Sequence, residues 1–278
     1  VARIARFSLK QMQKLLTLWG YRGFILGSVK REFQAKYSNS LLGAAWTVIN
    51  PLAMIAVYTL VFSQIMRAKL PEMAGGGNGQ FAYSIYLCAG VLTWAFFSET
   101  VTRTQNVFLD NANLLKKISF PRLCLPVIVV ANASLNFLII FGLFTLFLLV
   151  SGSFPGLPYF AVIPVLCLQV LFALGLGVTL GVLNVFFRDV GQLFGVVIQF
   201  WFWLTPIVYP INILPEFAQN LIRYNPMTSI IASYQRILVN GQWPIWESLW
   251  PVTVLGVLLC FWGMHLFRKH AGEMVDEL

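Results

Sequence analysis

Six stretches of this chain, residues 41–66, 81–101, 123–150, 159–187, 193–214 and 248–267, are apolar and close to or beyond the length that crosses a bilayer. A hydrocarbon core of about 30 Å takes roughly 20 helical residues. Backbone inside it must satisfy its own polar groups, which only helices and closed barrels do. No alternating ten-residue strand pattern recurs, which excludes a barrel. The expectation is therefore an all-α integral membrane protein with six transmembrane helices, several of them tilted or emerging from the bilayer. Charged residues make up only 10% of the chain, against about 25% in soluble domains. A single transmembrane domain spanning 1–278 follows, with an N-terminal segment at 1–40, the membrane domain at 41–269 and a short tail at 270–278.

The formal charge of +9 does not point to nucleic acid, because the basic residues sit outside the apolar runs. Counted by loop, fifteen fall on one side: Arg3, Arg6, Lys10, Lys14, Arg22, Lys30, Arg31, Lys36, Arg103, Lys116, Lys117, Arg122, Arg188, Arg268 and Lys269. Four, Arg67, Lys69, Arg223 and Arg236, fall on the other. The positive-inside rule places both termini in the cytoplasm, in agreement with an even number of spans. Residues 1–40 lack a short apolar core with a cleavage site, so no cleavable signal is expected.

Several connectors are too structured for plain turns. Before the first run, Met12, Leu15, Leu16 and Trp19 repeat at helical spacing among Lys10, Lys14 and Arg22. This predicts an N-terminal interfacial helix, weakened or split at Gly20 and Gly23. It is either a surface anchor or a gate beside a substrate entry point. Between the second and third runs, "LDNANLLKKISFPRLCLP" predicts a short helix over 111–117. Asp110 suits its N-terminus, and Lys116 and Lys117 its C-terminus. Leu114, Leu115 and Ile118 give it an apolar side. So short a helix does not persist alone in water, and the expected support is a partner protein or lipid headgroups.

On the opposite side, "YNPMTSIIASYQRILVNG" opens with Asn225 as N-cap and Pro226 at the first helical position. Met227, Ile230, Ile231, Tyr234, Ile237 and Leu238 form one stripe, and Asn240-Gly241 stops the helix. With the preceding "PEFAQNLIRY", this gives two short external helices. They lie flat as a surface cap, or dip back in as re-entrant gate helices.

Chemistry is sparse. The histidines are His265 and His270, and the ten carboxylates form no D-x-D or H-E-x-x-H pattern. The glycine-rich "RAKLPEMAGGGNGQ" lacks the Lys-Ser/Thr of a phosphate loop. Cys88, Cys124, Cys167 and Cys260 form no C-x-x-C pair and are expected to be packing residues. Ionisable groups are nearly absent from span centres, so a proton or ion relay has little to run on. Arg188 and Asp189 fix the turn into the fifth span, as a helix cap or against a partner. In "QFWFWLTPIVYP", residues advance by 100°, so the aromatics cannot share one face. Gln199 and Trp203 do share one, as do Trp46, Asn50 and Met54 in the first span. Aromatic rings beside amides suit sugars, which offer an apolar C–H face and polar edges.

In order along the chain, "VKREFQAKYSNSLLGAAWTVINPL", "KKISFPRLCLP", "NVFFRDVGQ", "TPIVYP" and "RYNPMTSIIASYQRIL" resemble the membrane subunit of bacterial ATP-driven exporters of O-antigen, capsular polysaccharide and teichoic acid. The resemblance covers nearly the whole chain. It implies a homodimer, two copies of a separate nucleotide-binding subunit carrying ATP and Mg²⁺, and a polymer on undecaprenyl diphosphate. It implies no cofactor in this chain and a place in the bacterial inner membrane. An ATPase-coupling element then comprises Asp110, Asn113, Leu114, Leu115, Lys116, Lys117, Ile118, Arg188 and Asp189. The translocation path takes Trp46, Asn50, Gln199, Trp203 and Tyr209. An external gate takes Arg223, Tyr224, Tyr234 and Arg236, with the two arginines placed to meet diphosphate or sugar acids, or simply solvated. A drug or small-lipid exporter of the same fold is the rival, and a membrane enzyme acting on polyprenyl sugars is a more distant one.

Overall fold

The computed structural model describes residues 20–37, 45–58, 60, 81–117 and 121–277. Met12, Leu15, Leu16, Trp19, Ile118 and the glycine-rich loop lie outside them. The described elements are helices α1 (Arg22–Tyr37), α2 (Trp46–Tyr58), α3 (Ala82–Asp110), α4 (Ala112–Lys117), α5 (Cys124–Val150), α6 (Val162–Phe186), α7 (Asp189–Trp203), α8 (Glu216–Arg223), α9 (Pro226–Asn240), α10 (Trp246–His270) and α11 (Glu273–Glu277), with short 3₁₀ turns at Leu157–Ala161 and Ile211–Ile213. No strand occurs among the described residues.

Four helical stretches are long and apolar enough to cross a membrane: Ala82–Asp110, Cys124–Val150, Leu157–Phe186 and Trp246–His270. They answer to four of the six apolar runs. The first run is represented by α2, the rest of it falling largely outside the described residues. The fifth run departs from expectation. Helix α7 ends at Trp203, and 15 residues rise only about 22 Å. Pro206 and Pro210 explain the stop, since proline disfavours helix at the residue before it and cannot donate to the ladder. The chain continues as turns to α8 rather than as helix to 214.

Helix α6 is the hub, packed between α3 and α10. Its glycines permit the close approach to α3. A Cβ on Gly177 would lie 2.7 Å from Thr104 Cβ, and one on Gly181 2.9 Å from the Thr104 carbonyl. Small residues four apart serve helix contact in lipid, where burial of apolar surface supplies no drive between helices. The main core gathers Phe97, Phe137, Phe144, Phe172, Ile207 and Tyr234. Phe97 stacks on Phe172 at 5.6 Å. Outward, α10 shows Trp250, Leu258, Phe261 and Trp262, a face suited to hydrocarbon.

Helix α1 begins just past Gly20, near the predicted break, and packs on α5. Arg103 of α3 ties it in through an ion pair with Glu32. Arg103 also reaches Glu99 at 3.4 Å, and Asn136 of α5 donates to Glu99 at 3.2 Å. These groups are about one-third to two-fifths exposed, so the pairs orient the helices more than they stabilise them.

Candidate functional site

The connector between α3 and α5 is a helix, α4, but its support differs from expectation. Asp110 ends α3 instead of capping α4. The junction residue is Asn111, whose carbonyl accepts from Leu114 N and Leu115 N at 3.0 Å. The Asn111 side chain donates back to the Val107 carbonyl at 2.8 Å. Leu115 is buried with Val107, Phe108, Val185, Phe267 and Met274. Phe108 and Phe267 stack at 5.6 Å. Arg122 donates to the Ala271 carbonyl, closing the C-terminal segment against this cluster. The chain itself thus supplies the apolar seat that so short a helix requires. Asp110, Asn113 and Lys116 stay exposed, and Leu114 is half-buried. The side chain of Lys117 lies outside the described residues.

The α6–α7 turn is tied to the same end of the bundle. Asn184 donates to Asn106 Oδ1 at 3.1 Å and to the Gln105 carbonyl at 3.4 Å. Its own Oδ1 accepts from Gly191 N at 2.9 Å. One buried amide therefore joins α3, α6 and the start of α7, a few residues from the exposed Arg188 and Asp189. Sequence reasoning named that turn but not Asn184, although an Asn among apolar neighbours in "GVLNVFF" was the available signal.

Helix α7 has two unlike faces. Phe194, Ile198 and Trp201 turn inward, where Trp201 meets Trp94, Phe97 and Phe172 with centroids 6.2, 5.4 and 6.4 Å away. Leu193, Val196, Phe200 and Trp203 turn outward, Trp203 being 63% exposed. Gln199 shares that open face. On α2, Trp46 and Met54 are also exposed, while the Asn50 side chain lies outside the described residues. The Tyr209 hydroxyl donates to the Trp203 carbonyl at 2.6 Å, beside the end of α7.

At the end of the bundle opposite α4, the predicted caps of α9 are present. Asn225 Oδ1 accepts from Met227 N at 3.0 Å. Gly241 adopts φ 60°, the left-handed conformation glycine takes without a Cβ penalty. Helix α9 is buried against α3, α6 and α10, so it is not a cap lying on the surface. Tyr234, expected on a gate face, is 0% exposed and belongs to the core. The stripe it shares with Met227, Ile230 and Ile237 is the helix's packed side. Arg223 and Tyr224 are exposed and Arg236 is half-buried. The broken backbone after α7 finds partners on α3. The Tyr83 hydroxyl donates to the Val208 carbonyl at 2.9 Å, and Tyr86 to the Tyr209 carbonyl at 2.9 Å. Buried irregular backbone needs partners of this kind for its polar groups.

Asn225 does more than cap. Its Oδ1 also accepts from Trp201 Nε1 at 2.8 Å. Its Nδ2 donates to Thr205 Oγ1 at 2.9 Å. Asn225→Ala removes a cap worth about 0.5–2 kcal/mol and strands an indole N–H at about 1–3 kcal/mol. The expected result is a clearly lower melting temperature of the purified protein in detergent. Asn225→Asp, which keeps the acceptor, should fall between. Melting of Asn225→Ala at the native temperature would show that the junction does not depend on this amide.

An all-helical bundle with bilayer-length helices, a braced short helix at one end and a buried helix break at the other defines a polytopic membrane protein. Sequence comparison makes this specific: the profile of the ABC-2 type transporter family matches residues 25–239, and the chain belongs to that family. It is 31% identical over 240 residues to an O-antigen export system permease protein of Klebsiella pneumoniae, covering 86% of this chain and 88% of that one. It is 30% identical over 263 residues to an O-antigen export system permease protein of Myxococcus xanthus, covering 94% and 97%. A polysialic acid transport protein of Escherichia coli is 19% identical over 252 residues, covering 89% and 93%.

Proposed function

We propose that this chain is the channel-forming membrane subunit of an ATP-driven exporter that moves a lipid-linked, O-antigen-like polysaccharide across the bacterial inner membrane. ATP and Mg²⁺ belong to a separate ATPase subunit, two copies of which work on a homodimer of this chain. The single observation that carries this reading is the seating of α4. Its apolar residue is locked into the bundle, while Asn113 and Lys116 remain exposed on the side where basic residues concentrate. A rod fixed that way transmits force from whatever grips its polar face. The charge bias assigns that side, with both termini, to the cytoplasm.

The polysaccharide substrate follows the names of the relatives together with the open face of α7. Trp46 and Asn50 of α2 and Gln199, Trp203 and Tyr209 line the path in this reading. Arg223, Tyr224 and Arg236 stand at the exit. Weak, repeated aromatic and amide contacts suit a polymer that must slide through many similar positions.

The test is the double substitution Lys116→Glu with Lys117→Glu. Lys116 is exposed, and charge reversal at a surface position leaves folding within about 0.5 kcal/mol. The expected outcome is normal membrane abundance, loss of most surface polysaccharide and weakened co-purification of the ATPase subunit. Undiminished polysaccharide would remove α4 from the coupling role.

A further inference from the structure

A cavity of about 420 Å³ lies between α9, the 206–212 stretch and the 242–248 connector, at the end of the bundle opposite α4. It is separate from the open face of α7, since neither Gln199 nor Trp203 lines it. Its polar wall includes Tyr86, Asn212, Thr228, Gln235, Arg236 and Asn240. No carboxylate lines it among the described residues, and Arg236 is the one cation that does. Arg236 Nε donates to the Trp243 carbonyl at 3.0 Å. That bond anchors one edge of the guanidinium, and its two Nη groups have no hydrogen-bond partner among the described residues. Thr228 Oγ1 and Asn240 Oδ1 are buried without a hydrogen-bond partner among the described residues. Thr228 is 7% exposed overall, so that hydroxyl carries a standing desolvation cost which a ligand hydrogen bond relieves after a small side-chain rotation.

The wall chemistry selects among ligands. Pro206, Pro210, Ile211, Val239 and Ile245 make another part of the wall apolar, which suits the C–H face of a sugar, whereas a lipid chain would leave the polar groups unsatisfied. A diphosphate, carrying two or more charges, is matched by clusters of cations, and here there is one. A sugar ring presents hydroxyls that both donate and accept, as do the amides and hydroxyls of the wall. The lone guanidinium is matched by a single carboxylate. The volume falls within the range of small-ligand sites, about 300–1,000 Å³.

We infer that this cavity is a saccharide-binding site for a sugar unit carrying a carboxylate, with Arg236 as its charge partner and Thr228 and Asn240 as hydroxyl partners. Its assignment to the exported polymer rests on the export function proposed above. The binding itself does not.

The test uses the full chain in lipid nanodiscs with three probes: trigalacturonate, maltotriose and inorganic pyrophosphate, each followed by saturation-transfer NMR. Trigalacturonate is expected to bind saturably, about tenfold more tightly than maltotriose, as one charge-assisted hydrogen-bonded contact implies. Arg236→Gln should reduce trigalacturonate to the maltotriose level. Ala232→Phe, which fills the cavity from its lining, should abolish both. Melting temperatures of both variants establish that they fold, and each reports independently if the other does not. Absence of trigalacturonate binding overturns the inference. So do binding indifferent to both substitutions, equal affinity for the acidic and neutral sugars, and a preference for pyrophosphate. Should cells lacking the chain still display their polysaccharide, the export function fails while the NMR result stands by itself.

Discussion

Leu115→Pro is expected to abolish polysaccharide export while the chain still inserts in the membrane. Leu115 N donates to the Asn111 carbonyl at 3.0 Å, and proline both deletes that bond and drives its ring against the carbonyl four residues back. In a helix interior this costs about 3 kcal/mol. For an element of 6 residues, that exceeds what the helix can recover locally. The side chain is lost from the cluster with Phe108, Phe267 and Met274 as well, so the rod detaches from its seat. The long helices are untouched, because the Phe97–Phe172 core lies in a different cluster. Membrane-fraction immunoblotting should therefore show the protein, while surface polysaccharide is absent. Leu115→Ala keeps the helix and removes only the packing, at about 2–5 kcal/mol for a buried site, and should give partial export. Wild-type polysaccharide from Leu115→Pro cells would mean that no force passes through α4.

Such an experiment separates two things the sequence joined. The apolar side of "NANLLKK" was legible as a stripe, and a short amphipathic helix without a partner implied an external support. The actual support includes Met274 and Phe267, more than a hundred residues away in the chain, and nothing in local periodicity reports a contact at that separation. The same physics explains the other misses. Residues 193–214 are mostly apolar, so hydropathy ran the fifth span through the break at Leu204. Pro206 and Pro210 were visible, but proline is tolerated in membrane helices, and only the Tyr83 and Tyr86 hydroxyls holding the Val208 and Tyr209 carbonyls show why the broken form is stable. By contrast, α9 was legible to its ends, because Asn225, Pro226 and Gly241 are local signals whose chemistry acts within four residues. Tyr234 was legible as part of a stripe, but a stripe does not say which side faces inward. That depends on α3, α6 and α10 surrounding it.

Trp201 and Trp203, two residues apart, provide the sharpest contrast among the aromatics of α7. Trp201 is packed on Trp94, Phe97 and Phe172 and donates to Asn225 at 2.8 Å. Its replacement by alanine removes a ring from a close-packed core, at about 3–5 kcal/mol. It also leaves Asn225 with one partner fewer at the junction of the broken helix. Trp203 is 63% exposed, and its carbonyl, not its ring, holds Tyr209, so Trp203→Ala leaves the fold nearly unchanged. Trp201→Ala should lower the melting temperature and the amount of protein in the membrane, with export falling in proportion to abundance. Trp203→Ala should accumulate normally and change the quantity or length distribution of the polymer exported per molecule. Gel profiles of surface polysaccharide, normalised to membrane protein, distinguish the two. If the pattern is reversed, with Trp201→Ala abundant but defective in passage, the inward ring rather than the outward one meets the polymer, and the path runs through the bundle of a single copy instead of along the open faces of α2 and α7.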